Sequence, residues 1–171
     1  VSADSGEVGR VKNFRLSLVL VGMLALLVPG CQKKATDVST VATDSSGWLT
    51  DFKQAQAAAK ANNKPILINF TGSDWCPPCI QLKKDIFTSA EFKSYAAANI
   101  ILVEADFPRA KQQAPELVTQ NQQLAEKFGV GGYPFLVLLR SDGTPLGQRV
   151  GYDAGETPAS FIAWLENLKK G

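Results

Sequence analysis

Two cysteines three residues apart, Cys76 and Cys79, are the side chains of this sequence best suited to covalent chemistry, and they stand in the run Trp75-Cys76-Pro77-Pro78-Cys79. The chain has three cysteines and no histidine. The missing histidine removes the commonest general base and the usual zinc and haem ligand, which counts against hydrolytic and zinc-dependent chemistry. What remains is thiol chemistry: one thiolate attacks a disulfide and a second thiol releases the mixed intermediate. Two prolines suit the first turn of a helix, where backbone N–H groups lack partners anyway, and Pro77 pushes Cys76 out of helical dihedrals into a cap-like position. Cys79 then falls one turn on and on the same face, near enough to close a small disulfide ring. The partial positive charge of a helix start favours thiolate at Cys76, the attacker, while Cys79 is expected to stay the more buried.

The surrounding pattern supplies the elements that would hold this pair. Pro65 to Phe70 is a short apolar run rich in β-branched residues, as in a strand buried on both faces, and Ile100 to Val103 repeats it. Between them, 76–98 reads as helical, with Ile80, Leu82 and Ile86 apolar and a break near Thr88-Ser89. Before them, Trp48, Leu49, Phe52, Ala55 and Ala59 recur at helical spacing behind Ser45 and Ser46, which predicts a first helix from Trp48 to about Asn62. A further helix is predicted over Pro115 to Phe128, closed by Gly129, with Leu117, Leu124 and Phe128 on its buried side. Phe135 to Leu139 is a third core strand, Ser141 to Thr144 a turn, 147–151 a returning strand, and Phe161, Ile162, Leu165 and Leu168 mark a closing helix. The order predicts an α/β sandwich of three layers, a mixed sheet covered by helices on both faces.

The first 31 residues read as an address. Arg10, Lys12 and Arg15 precede the uncharged apolar run from Leu16 to Val28, the order of a secretory signal. That run is shorter than the about 20 residues that cross roughly 30 Å of hydrocarbon. It ends Leu27-Val28-Pro29-Gly30-Cys31, which resembles the lipobox of bacterial lipoproteins, although Pro29 departs from the usual residue there. The resemblance implies lipidation at Cys31, a lipid anchor and an extracytoplasmic location. Residues 32–46 are polar and read as a flexible tether, with the folded domain over 47–171. The whole chain carries a net charge of +2 and no basic cluster interleaved with aromatics, so nucleic acid is not expected as a partner.

A strand, then Trp-Cys-x-x-Cys at a helix start, and later Gly131-Gly132-Tyr133-Pro134 ahead of a strand together resemble the thioredoxin superfamily, over roughly 47–171. Phe70 to Cys76, Asp106-Phe107-Pro108 and Gly151-Tyr152 are similar to thioredoxin-family proteins of the bacterial envelope and, more loosely, to the C-terminal domain of transmembrane disulfide reductases. The resemblance implies a cis bond before Pro134 facing the cysteines, and Tyr133 backbone groups that pair with an extended substrate segment. It also implies protein thiols and disulfides of the envelope as partners, a membrane electron donor, a monomeric state, and no cofactor beyond the Cys76–Cys79 couple. Trp75 is expected to be a contact platform beside the attacking thiol.

Two departures bear on chemistry. Thioredoxins bury an aspartate near the pair to accept the second thiol's proton, but this strand offers Asn69, and one extra residue separates strand from motif; Glu104 and Asp74 stay open as substitutes. Strong oxidants of the superfamily place a histidine between the cysteines, whereas Pro77 and Pro78 offer neither charge nor N–H, which tilts the couple toward a reductase. Cytochrome c maturation and disulfide isomerisation stay open within the redox class. A soft-metal module is the alternative outside it, weakened by one methionine and no histidine. The stretch 107–123 is longer than thioredoxin needs and reads as a substrate lip or a solvated insertion.

Overall fold

The computed structural model describes residues 47–171; the expected leader, Cys31 and the tether over 32–46 lie outside the described residues. Five strands form one sheet: β1 (Trp48–Leu49), β2 (Ile66–Thr71), β3 (Ile101–Asp106), β4 (Phe135–Leu139) and β5 (Pro145–Val150), in the spatial order β1-β3-β2-β4-β5. β1, β2 and β3 run parallel, and β4 is antiparallel to both β2 and β5. The helices are α1 (Phe52–Asn62), α2 (Pro77–Leu82), α3 (Ala90–Asn99), α4 (Pro115–Phe128) and α5 (Pro158–Lys170).

Successive side chains of a strand point to opposite faces, and here each face has its own helices. Ile66, Ile68 and Phe70 of β2 pack with Phe52, Ala55 and Ala59 of α1 and Leu124 and Phe128 of α4. Leu67 packs on the other face with Leu82, Ile86 and Phe87, with Phe92 of α3 and with Phe161 and Leu165 of α5. The predicted three-layer sandwich is therefore present.

The first predicted helix is corrected at its start. Trp48 and Leu49 form strand β1 against Leu102 and Val103 of β3, and both are buried, one in each core. Two adjacent apolar residues buried on opposite sides are the mark of a strand, which the helical spacing masked. α1 begins at Phe52, after Asp51, whose carboxylate accepts the Gln54 N–H at 3.0 Å.

The predicted break after the cysteine helix is present. α2 runs directly into a π-helical segment, Lys83–Phe87, closed by the Thr88 N–H on the Lys83 carbonyl at 3.0 Å, and Ser89 caps α3 by accepting the Phe92 N–H. The wider turn brings the consecutive residues Ile86 and Phe87 both into the core. Ile80, one position past Cys79, is instead 48% exposed. α4 ends as predicted on Gly129 in the left-handed region (φ 66°), but Leu117 is only half-buried and Asn121 is buried in line with Leu124 and Phe128. β3 extends beyond the predicted Val103, because Ala105 continues its inward face, and β5 starts two residues early with Pro145, tolerated on an edge strand.

Candidate active site

The site lies where the sheet's central pair of strands meets its loops. β2 runs toward it and β4 away from it, with Phe70 paired to Phe135, so the loop after Thr71 and the Tyr133-Pro134 step are neighbours although about sixty residues separate them in the chain. The Tyr133–Pro134 peptide is cis, as the resemblance implied. Pro134 is tied down by its carbonyl, which accepts the Gly151 N–H at 2.8 Å, and Gly151 sits at φ +86°, where a side chain would be strained.

Cys76 takes the cap position of α2 in an extended conformation (φ −97°, ψ 103°), with Pro77 and Pro78 filling the first turn. Its N–H donates to the Gly72 carbonyl at 2.9 Å, and its own carbonyl accepts the Ile80 N–H at 3.0 Å. Cys76 and Cys79 are joined by a disulfide with Cα atoms 5.3 Å apart. In this oxidised form both are 4% exposed, so the expected difference in burial between them is absent. Since neither proline carries an N–H, the first amide the helix can turn toward the Cys76 sulfur is that of Cys79.

Trp75 is held on three sides. Its indole N–H donates to the Phe107 carbonyl at 2.7 Å, its ring meets Tyr133 edge-on with centroids 5.7 Å apart, and the Arg109 guanidinium lies 3.8 Å from the ring centroid. Phe107 also stacks against Tyr133 at 5.3 Å, so Trp75, Phe107 and Tyr133 form one aromatic wall beside the cysteines. Burial pushes the Tyr133 phenol above its ordinary pKa. Backbone groups of Tyr133 make no hydrogen bond among the described residues and stay open to an incoming strand.

Two carboxylates clasp this wall to the cysteine loop. Asp106, at the end of β3, accepts the Ser73 N–H at 2.9 Å and the Ser73 hydroxyl at 2.6 Å. Asp74 accepts the Arg109 N–H at 3.0 Å and the Ala110 N–H at 2.8 Å, and those two amide bonds hold its carboxyl below the ordinary value of 3.8. Asp74 is therefore a loop clasp. On β2, Asn69 is 3% exposed on the same face as Leu67, and its Oδ1 has no hydrogen-bond partner among the described residues. Glu104 of β3, opposite Asn69, pairs with Lys83 at 3.3 Å, and Lys83 lines with Thr71, Ser73, Cys79 and Ile80 a cavity of about 310 Å³. Among the described residues no three His, Cys, Asp or Glu side chains are grouped to hold a metal ion.

A Thioredoxin-like domain family model matches residues 52–169. The chain belongs to the thioredoxin-like family. Within that family it is 34% identical to the disulfide bond reductase DsbH of Chlamydia pneumoniae, over 88% of this chain and 93% of that protein. A solved structure of a DsbH oxidoreductase superposes with a TM-score of 0.67 at 33% identity, covering 72% of this chain and 83% of the other. The fold is also similar to that of the C-terminal domain of Neisseria meningitidis DsbD in its reduced form, at TM-score 0.53 and 24% identity, over 68% of this chain and 92% of that domain. The residues that spacing did not single out are Gly72, Phe107 and Arg109. Gly72 and Phe107 stand in the runs that resemble envelope thioredoxin-family proteins, but nothing in the local pattern of 107–111 signals that the loop folds back over Trp75.

Proposed function

We propose that this chain is a thiol:disulfide oxidoreductase working as a reductase of disulfides in extracytoplasmic proteins of a bacterial envelope, held there by lipid on Cys31. The observation that carries the reading is the Cys76–Cys79 disulfide at the start of α2, on the loop that follows β2, together with the cis Tyr133–Pro134 step that leads into the neighbouring β4 and leaves the Tyr133 backbone groups without partners among the described residues. The likeness to a protein named for disulfide bond reduction supports the direction.

In the reduced form the Cys76 thiolate attacks one sulfur of a substrate disulfide, the S–S bond breaks, and the departing sulfur leaves as a thiolate that takes a proton from water. The substrate segment lies along Tyr133, whose free backbone groups pair with it in a sequence-tolerant way. Cys79, once deprotonated, attacks the Cys76 sulfur; the second substrate thiol departs, and two electrons have passed from the enzyme pair to the substrate. A membrane donor of dithiol type returns them. Pro77 and Pro78 give the Cys76 thiolate no charge and no amide, so the dithiol gives up its electrons readily.

Cys79→Ser protein, expressed in a bacterial envelope and analysed by non-reducing electrophoresis and mass spectrometry, is expected to carry substrates covalently on Cys76. Cys76→Ser is expected to carry none and to lose insulin reduction. Substrate adducts on Cys79 of Cys76→Ser, or insulin reduction that survives in it, would overturn the assignment of the attacker.

A further inference from the structure

Arg109 is exposed on the loop after β3, and its backbone is fixed by Asp74 while its guanidinium is stacked 3.8 Å from the Trp75 ring centroid. Among the described residues that guanidinium makes no hydrogen bond and no ion pair, so all its donors are unused. Stacking on an indole holds the planar fork in one orientation without consuming its edge, and a planar fork matches a carboxylate. The acidic groups of the same corner do not compete for it: Asp74 spends its oxygens on the Arg109 and Ala110 amides, and Asp106 on Ser73. Lys111, exposed two residues further on, adds a second positive charge near Asp74. The aromatic wall of Trp75, Phe107 and Tyr133 thus ends in a cationic rim carried on Trp75, the residue that precedes the attacking cysteine.

We infer that Arg109, presented on Trp75, makes this surface select disulfides whose cysteine lies in an extended segment carrying an aspartate or glutamate close by. The inference rests on the reductase reading and adds the chemistry of its substrate. Tyr133 pairs with the segment's backbone regardless of sequence, and Arg109 supplies the discrimination that backbone pairing lacks.

The test uses the reduced protein and three synthetic peptide disulfides that differ only in flanking residues, with aspartate, serine or lysine near the cysteine. Rates are divided by those with dithiothreitol, which removes the intrinsic effect of charge on each disulfide. The aspartate peptide is expected to react about five-fold faster than the serine peptide, the scale of one exposed ion pair. That ratio is expected to fall toward one between about 20 mM and about 500 mM salt, as screening dictates. Arg109→Gln is expected to bring the ratio to about one at low salt, and Arg109→Glu to reverse it in favour of the lysine peptide. Equal rates for the three peptides with the unaltered protein, or a preference that persists in Arg109→Gln, overturn the inference and leave the reductase reading standing. No reduction of any peptide by the unaltered protein overturns the reductase reading itself.

Discussion

Gly72 shows how closely the reactive loop is packed: a Cβ built there would lie 2.4 Å from the Trp75 indole. The backbone fixes where an alanine Cβ must sit, so the ring has to shift, which strains its hydrogen bond to Phe107. Gly72→Ala is expected to lower stability by about 1–3 kcal/mol in urea unfolding and to slow disulfide reduction, because the wall beside Cys76 is displaced. The two inner prolines bear on the redox potential. Equilibration with glutathione is expected to place the couple well below the about −120 mV of strong oxidants, and Pro78→His is expected to raise it by about 30 mV or more, since an imidazolium there stabilises the thiolate.

The cysteine loop and the loop after β3 behave as one element because Asp74 and Asp106 join them. Hydrogen bonds to the charged carboxylate depress the Asp74 pKa, so its contribution is complete above the ordinary 3.8 and is lost as pH falls through the lower folded value. Hydrogen exchange is expected to show the Arg109 and Ala110 amides losing protection over that acid range, and Asp74→Ala, which removes both acceptor oxygens, is expected to show the loss at neutral pH. Little of this clasp was legible in the sequence. The strands β2 and β4 were, because continuous runs of branched apolar residues have few other uses, and so was the break before Ser89, whose capping chemistry is local. Trp48 and Leu49 misled, since a two-residue strand borrows its pairing from β3 and leaves no period of its own. The π-helical turn is equally hidden: helical spacing places Ile80 with Leu82 and Ile86, yet it faces outward beside Cys79 while Phe87 turns in.

Across the whole molecule, the face of the sheet beneath α2 is held by an aromatic cluster in which Phe161 of α5 touches Phe87, Phe92 and Trp164, with ring centroids 5.4 to 5.6 Å apart. Phe161 is fully buried, and Phe161→Ala is expected to cost about 3–5 kcal/mol in urea unfolding while the cysteines stay in place in whatever fraction remains folded. The fold class itself was legible because the order of apolar runs and helical stretches leaves few ways to cover a mixed sheet. The cysteine pair and the proline step were legible as motifs, but their adjacency depends on the pairing of Phe70 with Phe135, which no local pattern carries. Asp74 grips the backbone amides of Arg109 and Ala110 and takes nothing from their side chains. Any residue other than proline can supply those amides. Side chains at 109 and 110 can therefore vary while the join between the two loops keeps its hydrogen bonds, so this short stretch can change in sequence without coming loose from the cysteine loop.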